Sequence, residues 1–416
     1  MDGDREFDIV LFGCTGFVGG LTADYLSRRA PGSCRIALAG RDRAKLDDIA
    51  GRLKVDVGTD VGVVVADVTD PGALASLAAR TVVLVTTVGP YTEYGLEVVR
   101  ACVDAGTDYL DLAGEPLFVR DSIAKYHGPA TRSGSRIVHS SGFDSVPSDL
   151  SVKILSEFAR ESGDGGLTDT TLVVRGIRGG FSGGTAASGL AHGRAMASSR
   201  GARAAARDPY TLSHCRTAEP ELGPQPDGRI VPLAAVAPDL RGWAGGFFMG
   251  FHNTRIVRRS NTLTDWSYGR RFSYSEVMAC PGGPASIVPS AVMAAGIRSM
   301  YSSVRLLGAV PESMTDAVMP RRGSGPGAAS RSKGYFDFQT YATTSSGARY
   351  RTDFAMDGDP GYAATAVILG ESVLAMACDR DRLGQSGVVT PAVAMGDVLP
   401  QRLRAAGARI NITRLD

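Results

Sequence analysis

Short apolar runs alternate with helix-like stretches through the first 150 residues of this 416-residue chain. The apolar runs predict strands at 7–12, 35–39, 61–65, 81–86, 108–110 and 136–139. Between them, periodic apolar positions predict helices that include 21–29, 74–79 and 95–105. Strands that alternate with crossover helices form a parallel, doubly wound sheet. We therefore predict an α/β fold in which residues 1–150 form a domain that binds its ligand where the strands end.

The first predicted strand runs into a glycine-rich turn, GCTGFVGG, at residues 13–20. Its first three glycines fall at three-residue intervals, which is tighter than the usual G-x-G-x-x-G spacing of dinucleotide-binding turns. Glycines here allow close backbone approach to a pyrophosphate, and the following helix offers free N–H groups to the phosphates. The alternative is a turn that only joins strand to helix. For a Rossmann domain, the predicted cofactor contacts from this turn are Gly13, Thr15, Gly16, Phe17, Val18 and Gly19.

The second predicted strand ends in AGRDR, with Gly40 and Arg41 where a dinucleotide site reads the ribose. A site that prefers NAD usually places Asp or Glu here, to accept hydrogen bonds from the 2′-hydroxyl. Arginine instead offers a planar fork of donors to a 2′-phosphate. We therefore predict NADP(H) as the cofactor, held by Arg41 with help from Arg43. A solvated arginine at a helix start is the alternative.

The next two strand ends extend the predicted cofactor site. Asp67 follows the third strand, where it either faces the adenine or caps the next helix. The fourth strand ends in TTVGPYTEYG, a Gly-Pro turn that lies against the nicotinamide half of the cofactor in this fold. We predict cofactor contacts from Thr87, Gly89 and Pro90.

Polar side chains follow the fourth, fifth and sixth strands and so share one rim of the predicted sheet. Part of the segment HSSGFDSVPSDL also looks like a helix start, because Ser145 precedes a proline and an aspartate. The side chains placed near the chemistry are Tyr91, Tyr94, Asp111, Glu115, Asp144 and Ser145.

Composition narrows the class of protein. Hydrophobic residues make up 44% of the chain and charged residues 21%, which predicts a globular protein of more than one domain. A net charge of +2 gives no basic footprint for nucleic acid. The six cysteines and five histidines lack metal-site spacing, so we predict reduced thiols and no metal. With no signal-like start and no membrane-spanning apolar stretch, a cytoplasmic location is expected.

Several longer segments resemble those of the saccharopine dehydrogenase-like oxidoreductases. The segments are GCTGFVGG, AGRDRAKL, TTVGPYTEYG, DYLDLAGE, GFDSVPSDL, GGFSGGT, NTRIVRRSN, GYAATAVILGE and GVVTPAVAMGD. Within this family the chain is most similar to the actinobacterial, including mycobacterial, trans-acting enoyl reductases. These serve polyketide synthases that make phthiocerol-type and phenolic glycolipids. The resemblance covers nearly the whole chain, is weakest at 195–235, and implies NADPH-dependent reduction of an enoyl thioester.

Such a reduction needs a hydride for the β-carbon, a donor for the thioester oxygen and an acid for the α-carbon. Four rim side chains are the candidates for the last two roles: Tyr91, Tyr94, Asp144 and Ser145. The implied partners are a polyketide synthase or acyl carrier protein and a long-chain lipid. Peripheral contact with the inner face of the plasma membrane and a homodimer remain open.

Two other functions compete with this one. A saccharopine-type C–N oxidoreductase shares the fold, although the segment GFDSVPSDL supplies no basic residue for an amino-dicarboxylate substrate. A non-catalytic NADP(H) sensor would use the same pocket to report redox state to a partner. Fold analogy does not separate them, because one fold hosts many chemistries.

The remainder of the chain predicts a second α+β domain at 151–358, which binds substrate or a partner, with strand-like pieces at 170–178, 255–260 and 335–343. GGFSGGT is either a site of close ligand approach or a relaxed strand end. Residues 362–379 predict a long amphipathic helix, and the resemblance implies that 359–416 returns to the first domain. Residues 289–307 predict an amphipathic helix with an apolar stripe from Met293 to Val304, which is either core or an acyl or membrane groove.

Overall fold

Two seven-stranded sheets form the framework of the chain. The architecture comes from a computed structural model, which describes residues 5–180, 183–223, 225, 227, 229–280, 283–296, 327 and 332–415. The helices are α1 (Phe17–Arg29), α2 (Arg43–Val57), α3 (Pro71–Ala79), α4 (Tyr91–Ala105), α5 (Pro116–Ser133), α6 (Val146–Glu161), α7 (Gly183–Ser198), α8 (Arg200–Arg207), α9 (Gly250–Leu263), α10 (Ala363–Cys378), α11 (Pro391–Met395) and α12 (Val398–Ala405).

The first sheet is parallel throughout. Its strands are β1 (Phe7–Phe12), β2 (Ile36–Gly40), β3 (Gly62–Val65), β4 (Thr81–Thr86), β5 (Asp108–Leu110), β6 (Arg136–Val138) and β13 (Gly387–Val389). They lie in the order β13-β6-β5-β4-β1-β2-β3, so the chain starts in the middle and winds both ways. The central strands are short apolar runs because helices cover both faces. The predicted doubly wound sheet is confirmed.

The second sheet is mixed. Its strands are β7 (Leu167–Arg178), β8 (Val231–Pro232), β9 (Trp243–Gly246), β10 (Ser273–Ala279), β11 (Tyr335–Thr344), β12 (Arg349–Asp357) and β14 (Arg409–Arg414). Their order is β14-β12-β11-β7-β10-β9-β8, and only β7 and β10 run parallel. Aromatic side chains from β11 and β12 meet Phe143 below α6, with Phe143 and Phe336 ring centres 5.0 Å apart. One continuous apolar core thus joins the two sheets through α6 and α10.

Helices of the first domain begin earlier than their apolar periodicity indicates. α3 begins at Pro71 because the Asp70 carboxylate accepts hydrogen bonds from the amides of Gly72 and Ala73, at 2.9 and 3.1 Å. α4 likewise begins at Tyr91, directly after Pro90. The first turns of α3 and α4 consist largely of polar, glycine or proline residues. Such residues suit a helix start but do not continue the apolar repeat from which the helices were predicted.

One prediction about the second half of the chain is wrong, and another is confirmed only in part. The predicted strand at 255–260 lies inside α9, whose polar residues are buried and therefore lack the exposed face of an ordinary helix. The predicted amphipathic helix at 362–379 is α10, but it is buried almost all round, between α1, α12 and the first sheet. A Cβ at Gly370 would lie 2.3 Å from the Tyr25 ring, which shows how closely α10 and α1 approach.

The C-terminal segment divides between the two sheets. Residues of α10 pack on α1, and β13 extends the first sheet beside β6, as expected for a return to the first domain. The last strand, β14, pairs instead with β12 at the edge of the second sheet. The expectation that 359–416 returns as a whole is therefore wrong for 409–414.

Parts of two predicted features lie outside the described residues. The stripe at 289–307 is helical as far as 296, whereas Ile297, Met300, Tyr301 and Val304 are not described. In GGFSGGT, residues 181 and 182 are not described, and α7 begins at Gly183. Within the described ranges, no helix is both long and apolar enough to cross a membrane.

Three buried arginines of α9 fasten the long loop at 206–227 to the fold. Arg255 donates to the Ala206 carbonyl at 2.9 Å and pairs with Asp227 at 2.8 Å. The guanidinium group of Arg258 donates to the backbone carbonyls of Pro209 and Tyr274 and to the side-chain oxygen of Gln225. Arg259 donates to the carbonyl of Leu212 at 2.6 Å and to that of Val388 in β13. α9 therefore connects the loop, the second sheet and the edge of the first sheet.

We predict that Arg259→Met lowers the free energy of unfolding by about 2–4 kcal/mol, because two buried carbonyls each lose a donor. Urea unfolding followed by circular dichroism measures the change. Arg270→Met is the matched control, since Arg270 is exposed and only stacks on Trp266, so its loss should cost less than about 1 kcal/mol. Equal losses for both variants would contradict the role given to Arg259.

Candidate active site

The glycine turn after β1 leaves no room for side chains. Gly13 has φ +98°, and a Cβ there would lie 2.8 Å from Val88 Cγ2. A Cβ at Gly19 would lie 2.3 Å from the Gly13 carbonyl oxygen, so only glycine lets α1 start this close to the strand. The Thr87 hydroxyl donates to the same carbonyl at 3.1 Å and ties the loop after β4 to the turn.

The N-terminus of α1 is open to a ligand. Gly16 stands at the N-cap with extended backbone and no side-chain cap, and the first turn carries no acidic residue. The first N–H groups of any α-helix have no acceptor within the helix, and no side chain caps them here. Thr15 beside them is exposed and makes no hydrogen bond within the described residues. This arrangement fits the pyrophosphate of a dinucleotide.

The end of β2 carries an arginine without a partner. β2 ends at Gly40, and the exposed Arg41 side chain makes no hydrogen bond or ion pair with any described residue. Arg43 is already engaged, because its Nε lies 2.9 Å from the Asp47 carboxylate. Arg41 therefore keeps its whole fork of donors for a ligand, and Arg43 does not.

Asp67 and the Gly-Pro turn take different positions around this cradle. The Asp67 carboxylate accepts from the Thr69 amide and hydroxyl, at 2.9 and 2.8 Å. These bonds, together with the Arg41 charge, lower its pKa. The turn before α3 thus already uses Asp67, whereas the side chain that caps α3 is Asp70. Gly89 is exposed beside the turn, and Pro90 is buried at the start of α4.

Two carboxylates that the sequence places on the rim have only internal partners. Glu115 is fully buried and accepts from the amides of Tyr91 and Thr92, at 3.1 and 2.8 Å, and from the Ser188 hydroxyl at 2.7 Å. It thereby caps α4 and holds α7 against it. Asp111, also fully buried, lies 2.6 Å from Nδ1 of His139 and accepts from backbone amides. The hydrogen bonds of both carboxylates therefore go to other parts of the protein.

The two rim tyrosines differ in what their hydroxyls contact. Tyr91 is buried, donates to the Thr86 carbonyl at 3.3 Å and accepts from the Leu112 amide at 3.2 Å. Burial raises its pKa well above the usual value. Tyr94, three residues along α4, is half-buried, and its hydroxyl has no partner in the described part of the chain. Of the two, Tyr94 is therefore the one with a donor to spare.

The rim loop, which we define as residues 139–145, has one side chain without a partner. Ser140 donates to the Ala113 carbonyl at 2.6 Å, Ser141 to the Val138 carbonyl, and Ser145 to Asn253 Oδ1 at 3.0 Å. The half-buried Asp144 carboxyl receives no hydrogen bond from another described residue.

Burial raises the pKa of Asp144 to about 7, although the residue's own backbone amide lowers it in part, and the Asp111 charge adds a smaller increase. Asp144 is also close enough to Tyr91 for its charge to raise the pKa of that phenol. Near neutral pH its carboxyl can therefore exist with or without a proton.

Residues from the second domain complete the surroundings of the rim loop, and our sequence analysis did not include them. Asn253 in α9 donates to Glu276 Oε2 at 3.0 Å and accepts from Ser145. Glu276 is buried in β10, and burial raises its pKa to about 7. The only available signal was the number of polar residues in the segment 252–261, a helix that proves to be buried. Within the described ranges, no group of three or more histidine, cysteine or acidic residues could hold a metal ion.

The parallel sheet, the glycine turn and the uncapped helix define a dinucleotide-binding protein of the Rossmann class. Residues 9–138 match the family model described as "Saccharopine dehydrogenase NADP binding domain", which confirms NADP(H) as the cofactor. Similar full-length chains carry a more specific name. A Mycobacterium ulcerans (strain Agy99) protein named trans-acting enoyl reductase is 46% identical over 420 residues, covering 99% of each chain.

A second relative, from Mycobacterium tuberculosis (strain H37Rv), is 52% identical over 414 residues and covers 99% of this chain and 98% of its own length. Its name gives it provisionally as a trans-acting enoyl reductase. The chain belongs to this family of NADP-dependent oxidoreductases. Among solved structures, apo saccharopine dehydrogenase (L-Glu forming) from Saccharomyces cerevisiae matches with TM-score 0.54 and 11% identity. That match covers 99% of this chain and 100% of the other, and it shows the shared fold.

We predict that Arg41→Ala weakens NADPH binding by about 1.5–3 kcal/mol, because the 2′-phosphate loses charge-assisted hydrogen bonds. NADH lacks this phosphate, so its affinity should barely change. Parallel fluorescence titrations with the two cofactors measure the difference. Arg43→Ala, whose side chain is paired with Asp47, is the control and should affect neither. An equal loss of NADPH and NADH affinity in Arg41→Ala would rule out contact with the 2′-phosphate.

We also predict that Glu276 lowers the stability of the wild-type chain as the pH rises from about 4.5 to 7. The folded state keeps a proton on this carboxyl after the unfolded chain has released it, so raising the pH through this window favours unfolding. Glu276→Gln mimics the protonated group and removes this contribution, which is of the order of 2–3 kcal/mol. Urea unfolding at about pH 5 and pH 7.5 tests it. Between these two pH values, the wild-type chain should lose more stability than Glu276→Gln. Equal losses would contradict the raised pKa of Glu276.

Proposed function

We propose that this chain uses NADPH to reduce the carbon–carbon double bond of an α,β-unsaturated thioester. It does so in trans, on intermediates that a polyketide synthase or acyl carrier protein presents during the synthesis of long-chain lipids. The names of its full-length relatives support the reaction class. The observation that carries the mechanism is Asp144, the one polar side chain of the rim loop that has no hydrogen bond to another described residue.

The rim supplies the two groups that such a reduction needs besides the hydride. NADPH, when bound, supplies the hydride for the β-carbon. The Tyr94 hydroxyl is assigned to the thioester oxygen, which gains negative charge as the enolate forms. Asp144 in its protonated form delivers the proton to the α-carbon, and the pKa near 7 leaves that proton available at neutral pH. Hydride and proton together saturate the double bond and complete the balance.

The remaining predicted site residues hold the cofactor or fix the geometry. We assign the turn from Gly13 to Gly19 to the pyrophosphate, Arg41 to the 2′-phosphate and Gly89 to the nicotinamide side. Tyr91 and Ser145 were candidates for catalysis, but their hydroxyls are engaged inside the protein. We therefore assign both to positioning.

We place the reaction in the cytoplasm, where carrier-bound chains are made. A long apolar tail on the substrate would bring the enzyme to the inner face of the plasma membrane. The C–N oxidoreductase alternative is less favoured, because an amino-dicarboxylate needs cationic partners and the rim loop carries no lysine or arginine. The sensor alternative predicts binding of NADPH without turnover.

Turnover assays separate these functions. NADPH oxidation at the expense of an enoyl thioester of coenzyme A or pantetheine supports the enoyl reductase. Oxidation that requires an oxo acid and an amine would replace it with C–N chemistry. Tight NADPH binding with neither substrate consumed would favour the sensor.

We predict that Asp144→Asn lowers kcat for an enoyl thioester by about 100- to 10,000-fold, the usual contribution of a general acid, without weakening NADPH binding. A general acid must be protonated, so wild-type kcat should fall as the pH rises above about 7, and this decline should vanish from the residual activity of the variant.

Steady-state kinetics across pH provides the measurement. Asp104→Asn, an exposed position on α4 near Arg100, is the control and should behave as wild type. If Asp144→Asn keeps more than about half of wild-type kcat, another group is the proton donor.

A further inference from the structure

α9 reaches the rim loop at two points, on either side of Asp144. Nε2 of His252 lies 2.8 Å from the Ser140 hydroxyl, and Oδ1 of Asn253 accepts from the Ser145 hydroxyl at 3.0 Å. Both α9 side chains are buried, His252 completely. Neither side chain belongs to the sheet that binds the cofactor, since α9 follows β9 of the second sheet.

The contact with Ser140 has a defined direction. The Ser140 hydroxyl donates to the Ala113 carbonyl at 2.6 Å, so it accepts from His252, whose Nε2 must carry the hydrogen. Nδ1 of the same ring is buried without a partner among the described residues, as expected for a neutral imidazole. Burial accordingly lowers the pKa of His252 to about 3.

Ser140 needs such support because its backbone is strained. Its φ is 60°, in the left-handed region that residues other than glycine rarely adopt. The amide of Ser140 donates to Asp111 Oδ1 at 2.9 Å, and His252 holds the side chain from the other side. Without these bonds the loop would gain by relaxing to an ordinary conformation, which would move the residues after it.

Asn253 is itself held rigidly. Its amide nitrogen donates to Glu276 Oε2 at 3.0 Å and lies 3.3 Å from the Ser148 hydroxyl. The Tyr274 hydroxyl donates to the other oxygen of Glu276 at 2.9 Å. A continuous chain of hydrogen bonds thus runs from β10 through Asn253 to Ser145, next to Asp144.

We propose that His252 and Asn253 are positioning residues that hold the rim loop so that Asp144 meets one face of the substrate α-carbon. This inference rests on the proposed function. According to this proposal, α9 of the second domain controls which face of the α-carbon receives the proton. Neither residue touches the reacting atoms; each acts through the serine it contacts.

A positioning role differs from a merely structural one in what it changes. Loss of positioning should lower kcat and scramble the face of protonation, because solvent then competes with Asp144 for the enolate. NADPH affinity should stay as it is, since the glycine turn is remote from α9 along the sheet. Loss of stability alone would lower the amount of active enzyme and leave the stereochemistry of each turnover intact.

The experiment measures kcat, NADPH affinity and the position of deuterium in the product formed in D₂O, by NMR of the α-carbon. For Asn253→Ala we expect kcat to fall by about 10- to 100-fold and the label to appear on both faces, whereas wild type labels one face. Ser145→Ala removes the same bond from the loop side and should scramble the label too. It keeps the test valid if Asn253→Ala fails to fold.

Two further variants serve as comparisons. His252→Gln can still donate to Ser140 and should retain more activity and more facial selectivity than His252→Ala. Asn261→Ala removes a buried asparagine of the same helix that bonds only to the backbone of Tyr268 and Gly269. It should lose stability without any change in the labelled face.

Failure of the proposal and failure of the proposed function are distinguishable. If the wild-type chain turns over no enoyl thioester, the proposed function falls and the positioning role falls with it. If wild type is active and labels one face, but Asn253→Ala and Ser145→Ala keep its kcat and its labelling, only the positioning role is overturned.

Discussion

A helix rich in hydrogen-bonding side chains lies buried between the two sheets, and each of those side chains needs a partner away from water. Most of these side chains of α9 therefore bond to the elements that surround the helix, although a few of their nitrogen atoms stay unpaired among the described residues. Its three arginines reach the loop at 206–227 and the edge strand β13, Ser260 contacts Asp149 in α6, and His252 and Asn253 reach the rim loop. Breaking one such bond would leave a buried polar group without a partner, which costs free energy. The contacts of α9 therefore fix the position of the two sheets relative to each other.

In the candidate site, backbone groups are suited to binding the cofactor and side chains are suited to the chemistry. The first domain offers the cofactor mainly backbone N–H groups and glycine surfaces, which close packing of α1 on β1 makes rigid. The groups that we propose for the chemistry are Tyr94 on α4 and Asp144 on the rim loop, and contacts from outside the first sheet hold both of these segments. Glu115 joins α4 to α7, Thr365 of α10 accepts from the Phe143 amide, and Asn253 holds Ser145. Cofactor binding and substrate chemistry thus depend on different sets of contacts.

The parts that could be predicted from sequence are those that local patterns determine. Apolar runs of four to six residues between capped helices indicate a parallel sheet, and the glycine turn with Arg41 indicates a cradle for NADP(H). The errors occur where tertiary burial overrides the local pattern. The segment 255–260 was predicted as a strand, but its buried polar residues belong to helix α9. α10 has almost no exposed face, because α1 and α12 pack against it. Tyr91, Asp111 and Glu115 were placed at the right rim, but their partners are internal, and sequence spacing does not encode partners. His252 and Asn253 come from a distant segment with no motif.

Asp144 differs from the other polar side chains of the rim loop in its hydrogen bonding. Every other polar side chain of the rim loop is hydrogen-bonded to another residue, so Asp144 is the exception in a well-ordered loop. Burial raises its pKa to about 7, which means that the folded protein carries an ionisation cost it could avoid with a serine or an asparagine. Shifted pKa values of this kind are frequent at functional sites, although structural hydrogen-bond networks also produce them. The same reasoning separates Asp144 from Asp149 and Glu276, whose pKa values are also raised to about 6 and 7 but whose oxygens are occupied by α9, α11 and β10 neighbours. A raised pKa marks all three carboxyls, and only the missing partner among the described residues distinguishes the one that is available to a substrate.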